Sequence, residues 1–154
     1  MGVRNSSNTY IARFDSNEGV ISANTWHHLV ASFDLTNTSN RYVYLDDAPC
    51  PDTDAGRGWN DYLNQNMDLT RNYYKIGRGS NDSSPYVYPP WDGDMANFYM
   101  DDSYIDISNT TNRRKFISAS GTPVDAGSDG STPTGSQPLI YIKGDAATWN
   151  SATQ

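Results

Sequence analysis

The stretch Asn24-Thr-Trp-His-His-Leu-Val-Ala-Ser-Phe-Asp34 decides the fold class of this chain. Successive side chains of a β-strand point to opposite faces, so residues 26–34 divide into two alternating sets. One set is the more apolar and is expected to face the core: His27, Leu29, Ala31 and Phe33. The other set is expected to face away: Trp26, His28, Val30 and Ser32. This alternation predicts a β-strand.

Short extended segments separated by polar turns surround this strand. Residues 41–45 alternate in the same way after the polar turn 36–40, which predicts an antiparallel hairpin. Further strands are predicted at 10–14, 20–22, 72–77, 94–100 and 138–142. Long loops are predicted at 48–68, 79–90 and 118–137. Ser108 is a candidate cap for a short helix at 109–117, with Arg113, Arg114 and Lys115 in its last turns.

Composition agrees with an all-β domain that has polar loops. The 154 residues are enough for one domain with a hydrophobic core, and 11 Tyr and 4 Trp favour strands. The net charge of −7 argues against nucleic acid as a partner, because an acidic surface repels phosphate. Cys50 is alone, so no internal disulfide is possible. We expect neither a signal peptide nor a membrane-inserted segment, since the start is polar and no apolar run is long enough.

Four pieces of the chain resemble the laminin-G/pentraxin branch of the concanavalin A-like domains. The first is the Trp-His-His strand already quoted, and the second is Arg41-Tyr-Val-Tyr-Leu-Asp46, where Asp47 stands in place of a usual glycine. The third is Lys75-Ile-Gly-Arg78. The fourth is Trp91-Asp-Gly-Asp-Met-Ala-Asn-Phe-Tyr-Met100, which in that family precedes a short helix.

The resemblance implies a concanavalin A-like jelly roll, an antiparallel two-sheet β-sandwich with one short helix. Residues 1–23 would form an N-terminal segment, 24–117 the core of the sandwich, and 118–154 a loop, a final strand and a polar tail. Few residues precede the Trp-His-His strand, so the sandwich is expected to be incomplete or completed by another chain. The segments 112–125, 130–135 and 138–142 are similar to segments of bacteriophage structural proteins that carry this domain. This similarity suggests a virus particle.

Catalysis is not expected. Neighbouring strand residues point to opposite faces, so His27 and His28 are predicted to be structural rather than a metal pair. Glycoside hydrolases of this fold need two carboxylates, and active relatives carry a paired-glutamate motif, whereas Glu18 is the only glutamate here. Asp92 with Asp94, or Asp101 with Asp102, are the remaining candidates. No Ser-His-Asp or Cys-His arrangement points to a nucleophile.

Glycan binding is the sharper functional candidate, because aromatic faces stack on sugars and polar groups bond the hydroxyls. The candidate residues are Trp59, Tyr62, Tyr86, Tyr88, Trp91 and Asn97. The alternative is that Trp91 packs on the sheet edge and that the tyrosines line a contact between subunits. A Ca²⁺ site is predicted at Asp92 and Asp94, with Asp46 or Asp47 as further ligands, although Asx turns also explain the aspartates.

The sequence therefore predicts a non-catalytic module of a phage tail, fibre or capsid surface. Its expected partners are further copies of itself, other virion proteins and glycans, at the virion surface. One alternative is a carbohydrate-binding domain of a secreted or cell-surface protein, which would be extracellular. The other is the remnant of a glycoside hydrolase.

Overall fold

The computed structural model describes residues 1–67 and 92–144, and there the chain is almost entirely strand, turn and loop. In these two ranges, eight strands lie in three small antiparallel sheets, accompanied by one helical turn. The strands are β1 (Gly2–Arg4), β2 (Tyr10–Asp15), β3 (Leu29–Asp34), β4 (Asn37–Leu45), β5 (Ala48–Pro49), β6 (Gly58–Tyr62), β7 (Phe98–Met100) and β8 (Ile140–Ile142), and the helix is α1 (Thr110–Arg113). The all-β prediction is confirmed.

The first sheet has the order β1-β2-β6, and its centre is the predicted strand at 10–14. Ile11, Ala12 and Phe14 on β2 are buried. The N-terminal strand β1, whose residues are not patterned as a strand, pairs with β2 through Gly2↔Arg13 and Val3↔Ala12. On the other side, β2 pairs with β6.

Strand β6 corrects the prediction that residues 48–68 form an irregular loop. The segment contains both β5 and β6, with only residues 50–57 between them. Proline and glycine in this segment indicated a loop, but Gly58 adopts a positive φ of 88° and opens the strand opposite Asp15. Trp59 follows it and packs inward. The tertiary packing of one tryptophan therefore outweighs the local turn signals.

The second sheet, of order β3-β4-β5, contains the predicted hairpin. β3 and β4 are antiparallel, with Ala31 opposite Val43. The turn between them is tighter than predicted, because the Asp34 carboxylate accepts hydrogen bonds from the backbone N–H and the hydroxyl of Thr36 at 2.8 and 2.6 Å. Residues 37–40 consequently belong to β4 rather than to the turn.

The predicted strand 26–34 is also corrected, because β3 begins only at Leu29. Ala31 and Phe33 face the core as predicted, but Leu29 is 59% exposed. Leu29 lies opposite buried Leu45, so it is on the core side of the hairpin at the open end of an outer strand of the described sheet. The extended segment predicted at 20–22 forms no strand.

One hydrophobic cluster joins the first two sheets. Phe14 on β2 packs with Val43 and Leu45 on β4 and with the buried free thiol Cys50. Trp59 on β6 packs against this cluster and makes edge-on ring contacts with Phe14 and Phe33, with centroid distances of 5.5 and 5.7 Å. The core of this half of the molecule therefore lies between the two sheets.

The third sheet pairs β7 with β8, with Tyr99 opposite Tyr141. Both strands are shorter than predicted, since Asn97 takes a positive φ of 55° and ends the extended backbone before β7. Pro138 has no N–H to contribute to a strand ladder, and β8 begins two residues later. The strand predicted at 72–77 and the loop at 79–90 lie outside the described residues.

The predicted helix is reduced to the single turn α1. Its cap is Asn109, whose side chain accepts from the Thr111 N–H at 2.9 Å, and not Ser108, whose hydroxyl bonds to Asp106. The chain leaves the helical path because Ile117 is fully buried and bridges to Pro123. No helix in the described ranges is long and apolar enough to cross a membrane.

Candidate functional site

The turn Asp46-Asp47 between β4 and β5 organises the most connected polar region of the described chain. Both residues take positive φ angles, 51° and 67°, which are unusual for residues other than glycine and favour hairpins with two-residue turns. Asp47 occupies the position where the resembled family has glycine. Each carboxylate instead binds a different neighbouring segment, which compensates for the strained backbone.

Asp46 holds the His27-His28 segment in place. Its Oδ2 lies 2.6 Å from His27 Nδ1, and its Oδ1 accepts the His28 backbone N–H at 2.8 Å. The Asp46 N–H in turn donates to the His28 carbonyl at 2.9 Å. Partial burial opposes ionisation of Asp46, but these hydrogen bonds outweigh it and its pKa lies below the usual value. These bonds take the place of a regular strand ladder before Leu29.

His27 also contacts Ser22 through its other ring nitrogen. His27 Nε2 accepts the backbone N–H of Ser22 at 3.1 Å and lies 2.9 Å from its hydroxyl oxygen. Because a backbone N–H only donates, Nε2 carries a lone pair and the imidazole proton is on Nδ1, facing Asp46. The segment 20–28 is therefore connected to the β4–β5 turn through the His27 ring.

His28 has different surroundings. Burial lowers its pKa, against the opposing charges of Asp46 and Asp47. Its Nδ1 is buried without a hydrogen-bond partner among the described residues. The two histidines thus serve separate environments, as expected for neighbours that point to opposite sides of an extended chain. No group of three or more His, Cys, Asp or Glu side chains in the described ranges is arranged to hold a metal ion.

Asp47 clamps the turn to α1. Its two oxygens accept from Arg113 Nε at 2.6 Å and from Arg114 Nη2 at 2.7 Å. Arg113 is a buried cation that also donates to the Ile107 carbonyl at 2.7 Å and lies over the ring of Tyr44 at 4.3 Å. The hydrogen bonds from Arg114 and Arg113 hold the pKa of Asp47 well below its usual range.

The segment 20–29, which this network supports, carries three large apolar side chains that are exposed, Ile21, Trp26 and Leu29, and we refer to these three residues as the Trp26 surface. Their exposed fractions are 40%, 68% and 59%, high values for large apolar side chains. The sequence pattern already placed Trp26 away from the core. It gave no reason to expect that Leu29 would also be exposed. Trp26 is the largest and the most exposed of the three, and it is therefore the candidate contact residue.

The predicted glycan-binding residues are not all in one place. Trp59 packs between the two sheets, and Tyr62 pairs through its backbone with Ala12 on β2. Asn97 is exposed ahead of β7. Tyr86, Tyr88 and Trp91 lie outside the described residues, so their role stays a prediction. Trp59 is partly buried against Phe14 and Phe33, and its part in glycan binding also stays a prediction.

Asp92 and Asp94, the predicted Ca²⁺ ligands, are both exposed. The other suggested ligands, Asp46 and Asp47, are committed to His27 and to the two arginines. Calcium binding at Asp92 and Asp94 therefore stays a prediction that draws no support from Asp46 or Asp47.

Sequence reasoning missed the connection of Ser22, His27 and Asp46. The three residues occur in the order Ser-His-Asp, but their contact depends on the path of the loop 20–28, which the strand pattern does not specify. The useful signal was the hairpin register, which brings the end of β4 beside the start of β3.

Comparison with known proteins gave no assignment. No protein-family profile, no curated protein and no solved structure matches the chain.

Proposed function

We propose that this chain is a non-catalytic binding module of a virus particle, with a lectin-like β-sandwich that binds glycans through the Trp26 surface. The observation that carries the proposal is the 68% exposure of Trp26, next to a histidine that is fixed from both ring nitrogens. A tryptophan kept in water by the fold is suited to stacking on the apolar face of a sugar ring.

The concanavalin A-like sandwich is the fold we propose for the module. Supporting it are the hydrophobic cluster shared by the first two sheets and the Trp59 contacts that cross from β6 to β3. The hairpin that follows the Trp-His-His segment, and the aspartate turn after it, also come in the order expected from the resemblance. Fold alone does not determine function, so the glycan proposal rests on the surface and not on the fold.

The Trp26 surface combines an aromatic face with polar neighbours. Residues 22–25 are exposed and supply hydroxyl and amide groups from Ser22, Asn24 and Thr25. Asn24 takes a positive φ of 58°, so the backbone turns sharply just before Trp26. A pre-fixed loop loses little conformational entropy on binding, which favours recognition of a flexible oligosaccharide.

A glycan array with the full chain tests this proposal. The wild type is expected to bind a subset of glycans, and Trp26→Ala to weaken that binding by about tenfold or more, because stacking area is lost. Trp26→Phe is the matched control, since it keeps an aromatic face and should retain most binding. Binding that survives Trp26→Ala unchanged, or no binding to any glycan, would contradict the proposed site.

We place the module at the virion surface as part of an assembly with copies of itself or other particle proteins. The strand β3, which is at the edge of its sheet within the described residues and carries exposed Leu29, supports this, because strand edges recruit further strands. Light scattering should give a mass that is a multiple of the 17.1 kDa chain. A mass equal to one chain at all concentrations tested would contradict self-assembly, while leaving the glycan site to be judged by the array.

A further inference from the structure

We propose that Ser22 is an activated nucleophile that accepts an acyl group from activated esters, with His27 as its general base and Asp46 as the group that orients the imidazole. This reactivity does not rest on the proposed glycan binding, although Ser22 is also one of the polar neighbours of Trp26. It would make Ser22 a site of covalent modification.

The proposal rests on a continuous line of hydrogen-bonding groups. Asp46 Oδ2 lies 2.6 Å from His27 Nδ1, and His27 Nε2 lies 2.9 Å from Ser22 Oγ. These are the contacts by which a carboxylate, an imidazole and a hydroxyl activate a serine, whatever the fold and the chain order. The Asp46 carboxylate also stabilises the imidazolium that forms when His27 takes the serine proton.

The proton positions suit this role. The Ser22 backbone N–H must donate, so the Nε2 lone pair faces Ser22 and the Nδ1 proton faces Asp46. Nε2 is therefore in the form that accepts the hydroxyl proton. The Ser22 hydroxyl shares this lone pair with its own backbone N–H, so the N–H hydrogen bond is given up as the hydroxyl proton moves to Nε2.

Ser22 and His27 differ in their exposure to solvent. The His27 side chain is only 14% exposed, whereas Ser22 is exposed at the surface. An acyl donor can approach the Ser22 oxygen from solvent, while the imidazole is shielded behind it. Among the described residues, the charged group in contact with the His27 ring is Asp46.

The reaction is a single acyl transfer. Ser22 Oγ forms a bond to the carbonyl carbon of an aryl ester as its proton passes to His27 Nε2. The bond from that carbon to the aryl oxygen then breaks, and the aryloxide leaves with the proton from His27. The products are an acyl-serine ester and a phenol, and no oxidant or reductant is needed.

The same geometry limits the reaction to activated donors. In many serine hydrolases the nucleophile's own backbone N–H stabilises the oxyanion, but here that N–H is bonded to the imidazole. A good leaving group is then required, and hydrolysis of the acyl-serine is expected to be slow. We therefore expect stoichiometric acylation rather than turnover, which is compatible with a non-catalytic binding module.

The test exposes the full chain to p-nitrophenyl acetate and, separately, to a fluorophosphonate that reacts with activated serines. Intact mass should show one added group, and peptide mapping should place it on Ser22. Ser22→Ala should abolish this label, whereas Ser39→Ala, at an exposed serine on β4, should leave it unchanged. Asp46→Asn should slow labelling by about a hundredfold, because an orienting carboxylate is lost.

Asp46→Asn also guards against loss of folding, since asparagine tolerates the positive φ of this position. Its circular dichroism spectrum should match the wild type. Absence of the fluorophosphonate label from the wild type, or equal labelling of wild type and Ser22→Ala, would overturn the proposal. So would a folded Asp46→Asn protein that labels at the wild-type rate.

Discussion

At the residue scale, Asp46 and Asp47 are neighbours in one turn, yet their carboxylates fix different parts of the chain. Asp46 holds the start of β3 through His27 and the His28 N–H. Asp47 holds α1 through Arg113 and Arg114. A glycine at position 47 would suit the backbone better, but it would release the helix. Asp47 therefore adopts an unfavourable backbone conformation, and its carboxylate links the turn to a segment that is distant in the sequence.

Arg113→Met should lower the free energy of unfolding by about 3 kcal/mol, because it removes a buried cation from several hydrogen bonds and leaves Asp47 with one partner fewer. The side chain of Arg113 contacts Asp47, Ile107 and Ser108. Lys115→Met is the matched control at an exposed site two residues away and should change stability by less than about 0.5 kcal/mol. Equal urea midpoints for the two variants would show that the clamp contributes nothing.

At the scale of elements, Trp59 and Trp26 have different surroundings in the first two sheets. Trp59 on β6 fills the space between Phe14 on β2 and Phe33 on β3. Trp26 precedes β3 and remains in water. One aromatic side chain thus holds the sheets together, and the other is left available at the surface.

Trp59→Ala should lower the free energy of unfolding by about 3 kcal/mol, because it opens a cavity between the sheets. Trp26→Ala should change it by less than about 0.5 kcal/mol, since little of that side chain is buried. Chemical denaturation of both variants measures the contrast. A larger loss for Trp26 than for Trp59 would reverse the roles assigned here.

Alternation of side chains was enough to predict β2, the hairpin of β3 and β4, and the positions of Ala31 and Phe33. It could not predict β6, since Gly58 and the prolines before it look like a loop until the packing of Trp59 is known. Alternation also could not predict the late start of β7. The positive φ of Asn97 interrupts the extended backbone within a segment whose side chains alternate regularly. The Asp46 and Asp47 contacts depend on segments far apart in the chain, which no short pattern specifies.

At the scale of the whole molecule, the acidic composition makes stability depend on pH. Hydrogen bonds to the carboxylates lower the pKa of several aspartates: Asp34, Asp47, Asp106, Asp125 and Asp129. A carboxylate with a lowered folded pKa stabilises the fold above its unfolded pKa of about 3.9 and loses that contribution as the pH falls. Buried His28, with its lowered pKa, acts in the same direction below about pH 6.5.

The melting temperature should therefore fall slightly between pH 7 and pH 5 and steeply below about pH 4. Scanning calorimetry across this range measures both steps. His28→Gln should remove the first step and leave the second, because glutamine does not titrate. A melting temperature that rises on acidification would contradict the assigned directions.

The first two sheets face each other across Trp59. Nuclear Overhauser contacts from the Trp59 indole protons test this most directly. We predict contacts to the rings of both Phe14 and Phe33, which lie on different sheets at centroid distances of 5.5 and 5.7 Å. Contacts to Phe14 alone, or chemical shifts that show a helix across residues 29–34, would contradict it.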